Sequence, residues 1–230
     1  MTTESICVCC FNLRLINFFM KALFSALKVA AVLLCLGGPA NAATWTVQNA
    51  NSPVSSNLRG LWGADANNVW ATGGPASDDV LLKWDGTAWA YQASTATLPL
   101  YSVWGTSANN VWVGGRKGHL MRWNGSTWTT FTSGLETDGT NGPHFIYSIW
   151  GSDANNIWAV SSNGEYGNIL KWNGTSWTIQ HTQTPGLRAI WGASASNIWA
   201  VGENGNIVRY DGSTWSTVSY SVTPALGVNT

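Results

Sequence analysis

The chain has 230 residues and carries eleven Lys plus Arg against eleven Asp plus Glu, so its formal net charge at neutral pH is zero. That balance removes the electrostatic basis for binding nucleic acid or an anionic membrane, and neither partner is expected. Only 10% of the residues are charged while Gly, Asn, Ser and Thr are abundant, which suits a turn-rich all-β extracellular domain better than a helical one.

A leader comes first. From Met20, basic Lys21 and Lys28 lead into an apolar run from Val29 to Leu36 and a small-residue end at Ala40-Asn41-Ala42. This is the pattern of a secretory signal cut between Ala42 and Ala43, which would deliver the mature chain to the periplasm or outside the cell. The apolar run is too short for a bilayer and is followed at once by Gly37-Gly38-Pro39, so no membrane span is expected in the mature chain. The nineteen residues before Met20 add nothing to such a signal, which makes Met20 a candidate start. All four cysteines (Cys7, Cys9, Cys10, Cys35) fall within residues 1–42, and residues 43–230 therefore have neither disulfides nor thiolate metal ligands. Leu34 precedes Cys35 where lipoprotein signals want a small residue, which argues against a lipid anchor.

Residues 43–230 form a repeat domain. Ala43 to Gln48 read as a lone strand around Trp45, and four units follow over about residues 57–95, 99–133, 145–182 and 186–222. Fifteen further tryptophans occupy four registers of that repeat. The first holds Trp62, Trp104, Trp150 and Trp191, and the second, eight residues on, holds Trp70, Trp112, Trp158 and Trp199. Trp84, Trp123, Trp172 and a substituting Tyr210 form the third, with Trp89, Trp128, Trp177 and Trp215 five residues later. Each unit contains four runs rich in Val, Ile, Trp, Tyr and Thr, separated by Gly, Asn, Asp and Ser clusters, which predicts strands A to D joined by tight turns. The first register recurs at intervals of 42, 46 and 41 residues, the usual length of a four-stranded propeller blade.

The expected fold is an all-β β-propeller of four recognisable four-stranded blades of about 43 residues each, plus an extra N-terminal strand. Its tryptophans are expected to form the core between blades. The lone first strand is one too many for four blades, and Thr223-Pro224-Ala225-Leu226 is similar to Thr184-Pro185-Gly186-Leu187 before the fourth strand A. A compact four-bladed ring, an open arc and a homo-oligomer in which a second chain completes the ring are all left open.

The segments WDGTAW, WNGSTW, WNGTSW and YDGSTW resemble the Asp-box of BNR-repeat and sialidase-like propellers. The Asp or Asn stands four residues before the Trp rather than five and the leading Ser is absent, so the resemblance is to the broad superfamily of BNR-like, Ycf48-like and kelch-like repeats, over residues 43 to about 222. Bacterial secreted propeller lectins are also similar through G-x-I-x-x-[WY]-[DN]-G-x-x-W, matched by Gly205 to Trp215. WD40 repeats fit less well, since no Gly-His element precedes the units.

Four sets of residues are candidates for binding. Three positions before the strand A tryptophan stand Arg59, Tyr101, Tyr147 and Arg188, which could wall a central channel and take an anionic or polyol ligand, or could plug it. Before the strand C aromatic stand Lys83, Arg122, Lys171 and Arg209, expected as solvated charges on the sheet face opposite that aromatic. Trp89, Trp128, Trp177 and Trp215, each behind a turn residue (Asp85, Asn124, Asn173, Asp211), could stack and hydrogen-bond a sugar, or could serve only the hairpin. The B-to-C loops alternate in length and carry Asp78, Asp79, Arg116, Lys117, Glu165 and Tyr166, and Ser133 to His144 is the largest irregularity.

No catalytic residue, metal site or cofactor is expected. His119, His144 and His181 fall in different registers, and no Ser-His-Asp, HExxH, P-loop or EF-hand spacing occurs. A sialidase would need three converging arginines, and of Arg59, Arg116, Arg122, Arg188 and Arg209 two belong to the strand C series. The expected function is a secreted, non-catalytic binding module for a glycan or protein surface. A scaffold that binds one partner protein is the alternative, and a degenerate BNR-type glycoside hydrolase the third reading.

Overall fold

A computed structural model describes residues 53–75, 77–136, 142–183 and 185–219. The leader, the Trp45 strand and residues 223–226 lie outside them. Sixteen strands form four antiparallel sheets, each with its strands in sequence order. Blade 1 holds β1 (Leu58–Asp65), β2 (Asn68–Gly73), β3 (Val80–Trp84) and β4 (Trp89–Tyr91). Blade 2 holds β5 (Leu100–Ser107), β6 (Asn110–Gly115), β7 (Leu120–Trp123) and β8 (Trp128–Phe131). Blade 3 runs through β9 (Phe145–Asp153), β10 (Asn156–Ser162), β11 (Gly167–Trp172) and β12 (Trp177–Gln183), and blade 4 through β13 (Leu187–Ser194), β14 (Asn197–Gly202), β15 (Ile207–Tyr210) and β16 (Trp215–Thr217). These are the expected A to D strands of a β-propeller.

The tryptophan spacings are hairpin spacings. Eight residues carry the chain around the A–B turn, so Trp62 pairs with Trp70, Trp104 with Trp112, Trp150 with Trp158 and Trp191 with Trp199. Five carry it around the C–D turn, pairing Trp84 with Trp89, Trp123 with Trp128, Trp172 with Trp177 and Tyr210 with Trp215. Gly86, Gly125, Gly174 and Gly212 supply the positive φ of that turn, between 99° and 104°. Because side chains alternate, the A–B pair projects from one face of each sheet and the C–D pair from the other.

Opposite faces of consecutive blades therefore meet through four aromatic rings. Trp70 lies 5.7 Å from Trp123 and, edge-on, 5.3 Å from Trp128. Trp112 lies 4.9 Å from Trp172 and 5.2 Å from Trp177, and Trp158 lies 6.3 Å from Tyr210. The indole N–H groups of Trp70, Trp112 and Trp158 meet no oxygen or nitrogen acceptor, so contact with neighbouring ring faces is what offsets their desolvation.

Strand A sets the approach of neighbouring blades. Its Trp inserts over the glycine that follows the Trp of the next blade: a Cβ on Gly105, Gly151 or Gly192 would fall within 2.8 Å of the ring of Trp62, Trp104 or Trp150 respectively. In this way β1 packs on β5, β5 on β9 and β9 on β13, while among the described residues no comparable packing joins β13 back to β1.

Candidate functional site

Strand A carries the same irregularity in all four blades. Its pairing with strand B jumps from Leu58–Gly73 to Gly60–Thr72, from Leu100–Gly115 to Ser102–Gly114, from Ile146–Ser161 to Ser148–Val160, and from Leu187–Gly202 to Ala189–Val201. The residues left unpaired are Arg59, Tyr101, Tyr147 and Arg188. A β-bulge releases its extra residue from the alternation of the sheet and re-aims the side chain, and here four bulges do so in register.

The four side chains form one continuous row. The Arg59 guanidinium lies 4.7 Å from the Tyr101 ring centroid, the Tyr101 and Tyr147 rings meet edge to face at 5.4 Å, and the Arg188 guanidinium lies 4.1 Å from the Tyr147 ring. Arg59 Nη1 donates to the Gly74 carbonyl at 2.6 Å, and Arg188 pairs with Glu203 Oε1 at 2.7 Å. Burial raises the Tyr147 phenol above its ordinary value, and the Arg188 charge opposes that rise. The two phenol hydroxyls of the row are flanked by two guanidinium groups. Such a row offers charge-assisted hydrogen bonds to carboxylates and neutral ones to hydroxyls.

Three further residues belong to the row. Phe145 packs against Tyr101 at 5.3 Å and Tyr147 at 5.8 Å, Arg116 stands 6.0 Å from the Phe145 ring, and Glu203 holds Arg188. Phe145 opens β9 two residues before Tyr147 and pairs with Ser162, and the bulge that follows it brings the two rings together, which no local pattern dictates. Arg116 and Glu203 come from B-to-C loops, whose path no local pattern dictates.

The B-to-C loops meet the row on one face of the propeller. Asp79 is buried there, accepting from Ser94 Oγ at 2.6 Å, and desolvation raises its carboxyl above the usual range. Burial lowers the His119 and His144 imidazoles, and for His119 the charges of Asp79 and Glu136 work against the shift. His144 Nδ1 sits 3.3 Å from Ser161 Oγ and 3.4 Å from Asn168 Nδ2. Asn163 closes the Glu165–Tyr166 loop by accepting from both backbone N–H groups.

The strand D set lies elsewhere, at the outer ends of the blades. Trp128 and Trp177 take part in the ring clusters described above, Trp215 lies tilted against Tyr210 at 5.1 Å and Trp89 against Trp84 at 5.7 Å. Trp177, only 6% exposed, has no free face for a sugar. The turn residues are occupied too: one Oδ1 each of Asp85, Asn124, Asn173 and Asp211 accepts the backbone N–H groups two and three residues on. The Thr87 hydroxyl, which donates to the same Oδ1 at 2.7 Å, and then those backbone bonds hold the Asp85 carboxyl down at about 2. A cleft of about 560 Å³ lies between blades 3 and 4, lined by Thr178, Gln180, His181, Ser213, Thr214 and Trp215 among others.

The strand C cations do not simply dangle in solvent. Lys83, Arg122, Lys171 and Arg209 lie over the strand B rings of Trp70, Trp112, Trp158 and Trp199 at 5.0 to 5.8 Å, and Arg122 and Arg209 also donate to Asn110 and Asn197. They point away from the strand C aromatic, as alternation requires, and cap the packing of their own blade. Among the described residues no group of three or more His, Cys, Asp or Glu could hold a metal, and no helix is long and apolar enough to cross a membrane.

No family model matches the chain, and no curated protein does. Solved structures do match. Ycf48 from Cyanidioschyzon merolae is 16% identical with a TM-score of 0.52, over 72% of this chain and 55% of its own, so the chain spans about half of that relative. The computationally designed Ika4 protein is 13% identical with a TM-score of 0.53, over 73% of this chain and 99% of its own. At such identities the likeness is one of fold.

Proposed function

We propose that the chain is a non-catalytic binding module that grips a carboxylate-bearing surface of a partner protein through Arg59, Tyr101, Tyr147 and Arg188. The observation that carries this reading is the bulge repeated at that position in all four A strands. A bulge interrupts the A–B ladder, and its recurrence at the register that holds Arg, Tyr, Tyr and Arg in turn fits a role for those side chains outside the sheet. Two cations at the ends of an aromatic strip suit spaced acidic side chains better than a single small anion. The row holds one carboxylate, Glu203, engaged by Arg188, which favours binding over acid–base hydrolysis. On the leader pattern we read the chain as secreted or periplasmic.

An oligo-aspartate peptide titrated against an oligo-asparagine control tests the reading. Arg188→Ala should weaken oligo-aspartate binding at least tenfold, and Glu203→Gln, which frees the guanidinium, should strengthen it. Equal binding of both peptides, or indifference to both substitutions, would count against it.

A second reading, glycan binding, is favoured by the outer cleft. There the Trp215 ring edge, the Ser213-Thr214 turn and His181 converge, in the hairpin that resembles those of propeller lectins. A glycan array tests it, and loss of any signal in Trp215→Ala would assign the cleft.

A further inference from the structure

The two outer flanks of the four described blades are the two halves of the interface that the blades already form three times. In blades 2, 3 and 4, the strand A residue before the Trp (Val103, Ile149, Ile190) is at most 8% exposed, and the one three further back (Leu100, Ile146, Leu187) is 0% exposed. All six are sealed by the preceding blade. Their counterparts in blade 1, Leu61 and Leu58, are 70% and 48% exposed. The opposite flank of blade 4 shows the reverse deficit. Trp191 is 61% and Val201 42% exposed, whereas Val160 at the Val201 position is 0% exposed and Trp62, Trp104 and Trp150 are each largely covered by the next blade.

Knob and hole match one another. Trp62, Trp104 and Trp150 each fill the space over Gly105, Gly151 or Gly192. Trp191 has no such glycine beneath it, and Gly63, the corresponding glycine of blade 1, is exposed with no ring from another blade over it. The flank of blade 1 further presents the Trp84–Trp89 pair, and at internal junctions the rings in that position meet the strand B Trp of the preceding blade, the position Trp199 holds in blade 4. We infer that a second copy of this chain completes the ring head to tail: blade 4 of each copy seats Trp191 over Gly63 of the other, giving two identical seams and eight blades in a closed twofold ring.

Head-to-tail contacts between identical chains either close or propagate, and two four-blade copies joined by two identical seams are the smallest closed arrangement. The occupant is this chain rather than an unrelated one because the exposed residues are those of its own repeat, in the same registers as its internal junctions. The seams also place Arg188 next to Arg59 of the second copy, where internal junctions place a ring. Glu203, already 2.7 Å from Arg188, offsets one of those charges.

Sedimentation of the full chain at micromolar concentration tests the inference. Twice the single-chain mass is expected, falling to the single-chain mass in Trp191→Glu and in Leu61→Arg, both at positions exposed in the single chain and so harmless to its fold. Mixing the two variants should restore the double mass, since one seam then pairs Glu with Arg and the other is native. A single-chain mass for the unsubstituted protein, a dimer that survives both substitutions, or open-ended growth would each overturn it. Near-ultraviolet circular dichroism checks that the variants keep their tryptophan packing.

Discussion

Arg59, Tyr101, Tyr147 and Arg188 owe their common placement to one backbone event repeated four times. Counting back three residues from each strand A tryptophan identifies them in the sequence, but the bulge that turns them from the sheet depends on how strand B pairs, which no local pattern encodes. The polar corner beside the row makes a pH prediction. Burial holds His119 and His144 below the ordinary imidazole value of 6.5, so on acidification the unfolded chain takes up these protons before the folded one. Their contribution to stability is full above about pH 6.5 and is lost as the pH falls from there through the folded-state values. Asp79 has the opposite sign: its raised carboxyl weakens the fold at neutral pH, and that penalty fades as the pH drops through its folded value. The melting temperature of Asp79→Asn should therefore fall between pH 7.5 and 5.5, and fall less when His119 and His144 are also replaced by Gln. A melting temperature unchanged over that range would show the imidazoles to be solvated.

At the level of hairpins and blades, the sequence was highly legible because two spacings map directly onto two turns. Eight residues between tryptophans made the A–B hairpin and five made the C–D hairpin, and the Asp-Gly or Asn-Gly dipeptides marked the second turn before any pairing was known. The reading of the strand D turn residues as sugar contacts competed with this, and the hydrogen bonds show Asp85, Asn124, Asn173 and Asp211 committed to their own turns. Packing between blades is then a matter of volume. Trp112, fully buried between blades 2 and 3, should cost about 3–5 kcal/mol when replaced by Ala. Gly151→Ala forces a methyl against the Trp104 ring and should cost about 1–3 kcal/mol, read from denaturant midpoints. Ala at Gly63, which meets no ring of another blade, should leave the midpoint of the separated chain within about 0.5 kcal/mol.

For the molecule as a whole, composition and repeat length gave the propeller, whereas closure was invisible because every blade carries both halves of the same interface. A sequence in which each unit has knob and hole reads alike whether the ring closes, stays open or is completed by another chain. Exposure at Leu58, Leu61 and Trp191, residues whose counterparts in other blades are covered, sets the four described blades apart from a ring closed within one chain. The leader and the Trp45 strand lie outside the described residues, and export rests on their sequence pattern. The proposed binding row lies where the starts of the A strands meet the B-to-C loops, and binding at that place is open to direct observation. Backbone hydrogen exchange of the chain with and without oligo-aspartate is the measurement. Protection is expected at the starts of β1, β5, β9 and β13, around Arg59, Tyr101, Tyr147 and Arg188; protection confined to β12 and β16, or none anywhere, would contradict it.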